Sequence, residues 1–222
     1  MSEVRAVQKT EMPEINAQAA IVVTQHEGRI LLEKNARMKL PPAFLTKITA
    51  SIIALEKCNP TDKVTVSENV VKQVSGWKSA AAINLEAGEQ ISVLDLVYSM
   101  MLVSANDSLF ALAEFICGGI DKFAVMMEEK AKEIGAESTV ITSADGKFTS
   151  EQYSNAYDLA IICRYCMTNR IFRNIAASDK YTIPATNLNG PREIQNTNLL
   201  VNSRNRRYRY ETAIGIKSGY TA

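Results

Sequence analysis

Histidine occurs once in the 222 residues, at His26, so a His-dependent triad or a multi-His metal site has almost nothing to draw on. Charge of one sign is also lacking. Lys+Arg number 25 against 24 Asp+Glu, a formal net charge of +1, which gives no electrostatic ground for nucleic-acid binding. No stretch approaches ~20 consecutive apolar residues, which excludes a membrane-spanning helix. The N-terminal run from Met1 to Lys9 has no apolar segment suited to a signal peptide. The sequence therefore fits either a cytoplasmic protein or a chain whose leader has been removed. Internal repeats and low-complexity linkers are absent.

Cysteine is scarce and carries little signal. Cys58, Cys117, Cys163 and Cys166 are the four, and the last two are spaced C-x-x-C. The segment from Tyr157 to Met167 has helical periodicity without Gly or Pro. Zinc would need two more ligands close by, and none is evident. A redox pair would open a helix and not sit inside one. Helix packing is the expected role, with no metal and no cofactor.

What is present is a core. Apolar residues make up 46% and charged residues 22%, which rules out global disorder. Residues 1–17 read as a polar lead-in and 18–222 as one folded unit. Ala19 to Val23 and Ile30 to Glu33 flank a turn at His26–Arg29 and predict a β-hairpin. Leu45, Ile48, Ile52 and Leu55 form one apolar helical face within 43–57, stopped by Asn59-Pro60. Residues 63–90 suggest short β-type runs, Val64 to Val66 among them, and turns. Ser92 is placed to cap a helix over 93–102. A polar break at 103–107 precedes a helix over 109–117, for which Asn106 or Asp107 is the expected cap. Asp121 is the expected cap of a helix over 123–134, closed by Gly135. Asn155 is the expected cap of a helix over 156–167. Residues 180–222 suit strands and loops. Strands, helices, then strands predict an α+β fold, an antiparallel sheet with strands from both chain ends against a helical block.

Three short stretches carry chemistry together. Thr46-Lys47 lies in the first turns of a helix, Ser104-Ala105-Asn106 in a break between helices, and Lys217-Ser218-Gly219 on the expected final strand. Serine acyl-transferases that use lysine in place of histidine need such a set. A desolvated Lys can be neutral and accept a hydroxyl proton. A second Ser can relay it, and an Asn amide can hold a substrate carbonyl. A Lys-Ser-Gly strand offers a cation for a carboxylate and lets backbone approach closely.

With these stretches the chain resembles the serine-type D-alanyl-D-alanine carboxypeptidases, low-molecular-mass penicillin-binding proteins whose motifs are S-x-x-K, S-x-N and K-[ST]-G. Leu40-Pro41-Pro42-Ala43, Ala156-Tyr157-Asp158-Leu159-Ala160, Asn196-Thr197-Asn198-Leu199-Leu200 and Gly215 to Thr221 extend the likeness over roughly residues 14–222. The resemblance implies a DD-peptidase/β-lactamase-like fold and a stem peptide ending in D-Ala-D-Ala as ligand. It implies Lys47 as base, Ser104 as relay, Asn106 as substrate-amide contact, and Lys217, Ser218 and Gly219 as the carboxylate clamp. The backbone N–H groups of residue 44 and of a residue just after Gly219 would form the oxyanion hole. It also implies an extracytoplasmic location.

Two departures qualify this. The position three before Lys47, where the family has its nucleophilic Ser, is Phe44. Thr46 should point away from Lys47, and Ser51 lies a turn beyond it. The chain also stops at Ala222, where the fold is expected to continue with further strands and a helix. Two readings follow: a carboxypeptidase-family domain impaired in acyl transfer, or a non-catalytic peptidoglycan-binding module. Under either, β-lactams are engaged only non-covalently, if at all. A class A β-lactamase relative is a remote third, since Glu193 sits too near Lys217 for that family's water-activating Glu. The basic run from Arg204 to Arg209 is expected to be a solvated loop, His26 a turn residue, and Trp77 a packing or pocket-rim aromatic.

Overall fold

Residues Thr46 to Ala54 are all buried, so the first long helix is wrapped on every side. A helix buried all round belongs at the centre of a domain. The computed structural model describes residues 14–75 and 81–220. Most of the expected lead-in, Trp77, and the Thr221-Ala222 end lie outside the described residues.

Strands β1 (Ala20–Val23) and β2 (Ile30–Lys34) form the expected hairpin, with Ala20 opposite Lys34. A single 3₁₀ turn, Ala43–Leu45, leads into α1 (Thr46–Lys57). Around α1 stand α3 (Val93–Leu102), α4 (Asn106–Cys117), α5 (Ile120–Glu133), α6 (Ala156–Cys166) and α7 (Arg170–Ala177). Ala50 and Ala54 are fully buried, which lets the neighbouring helices approach closely. The larger Ile48, Ile52 and Ile53 join Leu96, Met100, Leu109, Leu112, Phe123 and Met127 in the same core. Each such side chain contributes roughly 1.5–3 kcal/mol by leaving water. Strands β3 (Lys63–Thr65) and β4 (Gln90–Ser92) pair antiparallel, as do β5 (Lys180–Ile183) and β6 (Arg192–Gln195).

The mixed architecture of strands, helical block and strands matches the expectation in class. Its details differ in several places. The pairing of strands from both chain ends is not seen among the described residues, where the strands form three separate two-stranded sheets. Residues 213–220, expected as a strand, run without a ladder partner.

Two helices were hidden from the pattern. Helix α2 (Glu68–Ser75) carries Val70, Val71 and Val74, whose β-branching reads as strand. Their spacing nevertheless makes one helical face, with Val70 in the core. Helix α7 is short, but Asn169 caps it by accepting from the N–H groups of Ile171 and Phe172. Ser92 and Asn155 cap α3 and α6 as expected, accepting from Asp95 N and Asp158 N. Helix α5 instead starts earlier than expected, with Gly119 and not Asp121 at its N-cap. Gly135 follows its last turn at φ +94°, the left-handed conformation that favours glycine. Cys163 and Cys166 both lie in α6; burial pushes the Cys163 thiol up to about 12 and raises Cys166 as well.

Candidate active site

Helix α4 begins at Asn106 without any side-chain cap. The two residues expected to cap it are engaged elsewhere. The Asp107 carboxylate accepts from the N–H groups of Ile83, Leu85 and Ser108 at 3.0, 3.1 and 2.8 Å. Burial nonetheless raises its pKa above the usual carboxylate value. These bonds tie the 81–85 segment to the first turn of α4. The backbone N–H of Asn106 adds a 2.7 Å bond to Ala81 O. The Asn106 side chain is thereby free to face α1.

There it meets Lys47, which is fully buried. Lys47 Nζ donates to Asn106 Oδ1 at 2.6 Å and to Ser104 O at 2.9 Å, and lies 3.4 Å from Ser104 Oγ. Burial and, next, the charge of Lys217 lower its pKa from 10.5 to about 7. A neutral amine has two hydrogens and one lone pair. Two carbonyl oxygens take the hydrogens, and the lone pair is left for the Ser104 hydroxyl. Ser104 itself adopts φ +61°, a left-handed conformation that costs a residue with a Cβ about 1 kcal/mol or more. That strain turns both its carbonyl and its hydroxyl toward the lysine.

Phe44 stands on the 3₁₀ turn one step before α1. Its ring centroid lies 4.4 Å from Lys47 Nζ. Neither nearby hydroxyl of α1 takes the place of one on this turn. Thr46 Oγ1 points away and donates to Ala144 O at 2.9 Å, and Ser51 Oγ donates back to Lys47 O at 2.7 Å.

The third stretch closes on the same place. A Cβ added to Gly219 would lie 3.1 Å from Leu45 Cγ and 3.2 Å from Leu45 N. The Lys217–Gly219 segment therefore lies against the start of α1. Ser218 Oγ is 3.4 Å from Thr197 Oγ1, whose own N–H and hydroxyl bond Leu102 O at the end of α3. Burial lowers the Lys217 pKa to about 8. Lys47, Ser104 and Asn106 are thus in direct contact, with Phe44 over the amine and Lys217, Ser218 and Gly219 adjacent. Glu193, the residue weighed for a lactamase base, sits on β6 and pairs with Lys180 and Arg204.

Two contributors went unread in the sequence. Thr197 lies in a quoted stretch, but its spacing alone gave it no role. Gly146 stands at φ +81° where a Cβ would fall 2.2 Å from Ala43 O and 2.9 Å from Phe44 N. Only glycine lets the 143–146 loop support the turn carrying Phe44. The Asp145-Gly146 pair was the available turn signal.

The family model for D-alanyl-D-alanine carboxypeptidases matches residues 6–222. The chain belongs to the D-alanyl-D-alanine carboxypeptidase family. Among its curated relatives is the D-alanyl-D-alanine carboxypeptidase DacF of Bacillus subtilis, 30% identical over 210 residues, covering 92% of this chain and 51% of that protein. DacB2 of Mycobacterium tuberculosis is 29% identical over 223 residues, with 99% of this chain and 72% of the relative covered. The crystal structure of a D-alanyl-D-alanine carboxypeptidase from M. tuberculosis H37Rv superposes with a TM-score of 0.85 at 28% identity, over 99% of this chain and 78% of the other. A mutant of the Streptomyces K15 DD-transpeptidase gives 0.84 at 26% identity, over 95% and 83%. The chain spans about half the length of the Bacillus relative and 41% of DacC from Escherichia coli. The three stretches singled out in the sequence are those that this structure brings together.

Proposed function

We propose that this domain engages the D-Ala-D-Ala end of a peptidoglycan stem peptide, outside the cytoplasm, without forming an acyl-enzyme. One observation carries the reading: a buried amine, wired to Ser104 and Asn106, faces an aromatic ring on the turn where an acylating hydroxyl belongs. The terminal carboxylate is assigned to Lys217, Ser218 and Thr197, and the substrate amide to Asn106. Lys47 has the proton affinity of a general base near neutral pH. Ser104 has the position of a relay. A relay and a base do not suffice for covalent catalysis, since the bond-forming atom is missing; in a serine protease, removing it costs ~10⁶ in turnover. Residues 18–222 are taken as one transpeptidase-like unit.

Calorimetric titration with an N-acylated D-Ala-D-Ala peptide and its L-Ala-L-Ala counterpart tests the reading. The expected result is saturable binding of the D-peptide alone, with no release of D-alanine. Turnover of the peptide would overturn the non-catalytic part, and equal or absent binding of both peptides would overturn the pocket.

A further inference from the structure

Outside the pocket, the segment from Leu199 to Tyr210 gathers positive charge. That loop holds Arg204, Arg206, Arg207 and Arg209 and no acidic residue. The whole chain carries +1, so everything outside this loop of charge +4 sums to −3. All four arginines are exposed. Arg204 pairs with Glu193, which Lys180 already engages, whereas Arg206 and Arg207 have no carboxylate partner among the described residues.

Side-chain hydrogen bonds tie the loop to itself and to its neighbours. Asn202 Nδ2 donates to Asn196 O, and Asn202 Oδ1 accepts from Arg204 N. Asn205 Oδ1 accepts from Tyr208 N, and the Asp179 carboxylate accepts from Ser203 N. Tyr210 N donates to Leu200 O at 3.0 Å, so the two ends of the loop meet. That bond brings together side chains that a soluble surface would rather hide. Leu199, Leu200, Tyr208 and Tyr210 are 45%, 47%, 50% and 66% exposed.

Arginines beside exposed leucines and tyrosines suit an anionic lipid surface, where headgroups take the guanidinium groups and the interface takes the apolar and aromatic side chains. A soluble polyanion would leave the leucines in water. A nucleic acid would likewise leave the leucines in water. We propose that the 199–210 loop is a peripheral docking surface for an anionic membrane. The proposal does not depend on the pocket reading.

Sedimentation of the 222-residue chain with vesicles tests it. The expected result is binding to phosphatidylcholine vesicles containing about 30% phosphatidylglycerol, and none to phosphatidylcholine alone. Raising salt from about 0.1 M to about 0.5 M should release most of it. The Arg206→Glu/Arg207→Glu variant should bind at least about tenfold more weakly. The Tyr208→Ser/Tyr210→Ser variant should also weaken while keeping its salt dependence. Circular dichroism checks that each variant is folded, and the salt series on the unaltered chain stands if one is not. Absence of binding to anionic vesicles, equal binding to neutral ones, or capture by a soluble polyphosphate or RNA in place of vesicles would overturn the proposal.

Discussion

A lysine amine buried away from solvent is held far from its usual proton affinity, and the consequence is measurable. Lys47 is protonated in the unfolded chain up to about pH 10.5 and in the folded one only up to about 7. Between those values the unfolded state holds more protons. The free energy of unfolding must therefore climb with pH across that window. Comparing urea unfolding of the unaltered chain with Lys47→Met from pH 6 to about 10 isolates this, because Lys217 keeps its own, lesser depression in both. The upward slope should be steeper in the unaltered chain; parallel profiles would mean that Lys47 is not buried as described. Asn106→Ala should leave the lysine short of its 2.6 Å acceptor and cost about 1–3 kcal/mol, read from the same unfolding curves. Which residues meet was only partly legible in the sequence. Lys47, Ser104, Asn106 and Lys217 could be singled out as neighbours because each lies in a short motif with its own chemistry. Thr197 and Gly146 were not, because one acts through a neighbour's hydroxyl and the other through the side chain it lacks.

At the scale of elements, the pattern read well where one periodicity ruled. The β1–β2 hairpin and α1, α3 and α6 follow from alternation, a continuous apolar face, or a cap of the expected type. Helix α2 was missed because three valines spaced for a helix also satisfy a strand. Helix α4 was foreseen but its cap was not, since Asp107 is committed to the 81–85 segment. Long-range polar ties of that kind leave no local signal. Glu89 is the clearest further case: its carboxylate is wholly buried and pairs with Arg192, with Thr186 at 3.0 Å and Asn189 at 3.2 Å completing the cage. It fastens the edge of the β3–β4 pair to the β5–β6 connection. Glu89→Ala leaves the Arg192 guanidinium without its buried partner and should cost about 3–5 kcal/mol in urea unfolding. A loss below about 1 kcal/mol would show that the two hairpins are fastened by something else.

For the molecule as a whole, the core and the site make the same demand on α1. Its middle fills the centre of the domain and its first turn presents Lys47, so the site rides on a central, largely buried helix. That arrangement holds Lys47 in place whichever side chain occupies position 44. Fold class was legible from the order of strands and helices, whereas the separation of the three small sheets was not, because strand pairing is a choice among distant partners. The decisive comparison is intact-mass spectrometry of the unaltered chain and of Phe44→Ser after incubation with benzylpenicillin. The unaltered chain should keep its mass, and Phe44→Ser should gain one penicilloyl group on residue 44. A covalent adduct on the unaltered chain, or a folded Phe44→Ser that stays unmodified, would contradict the picture of an assembled site lacking only its attacking oxygen.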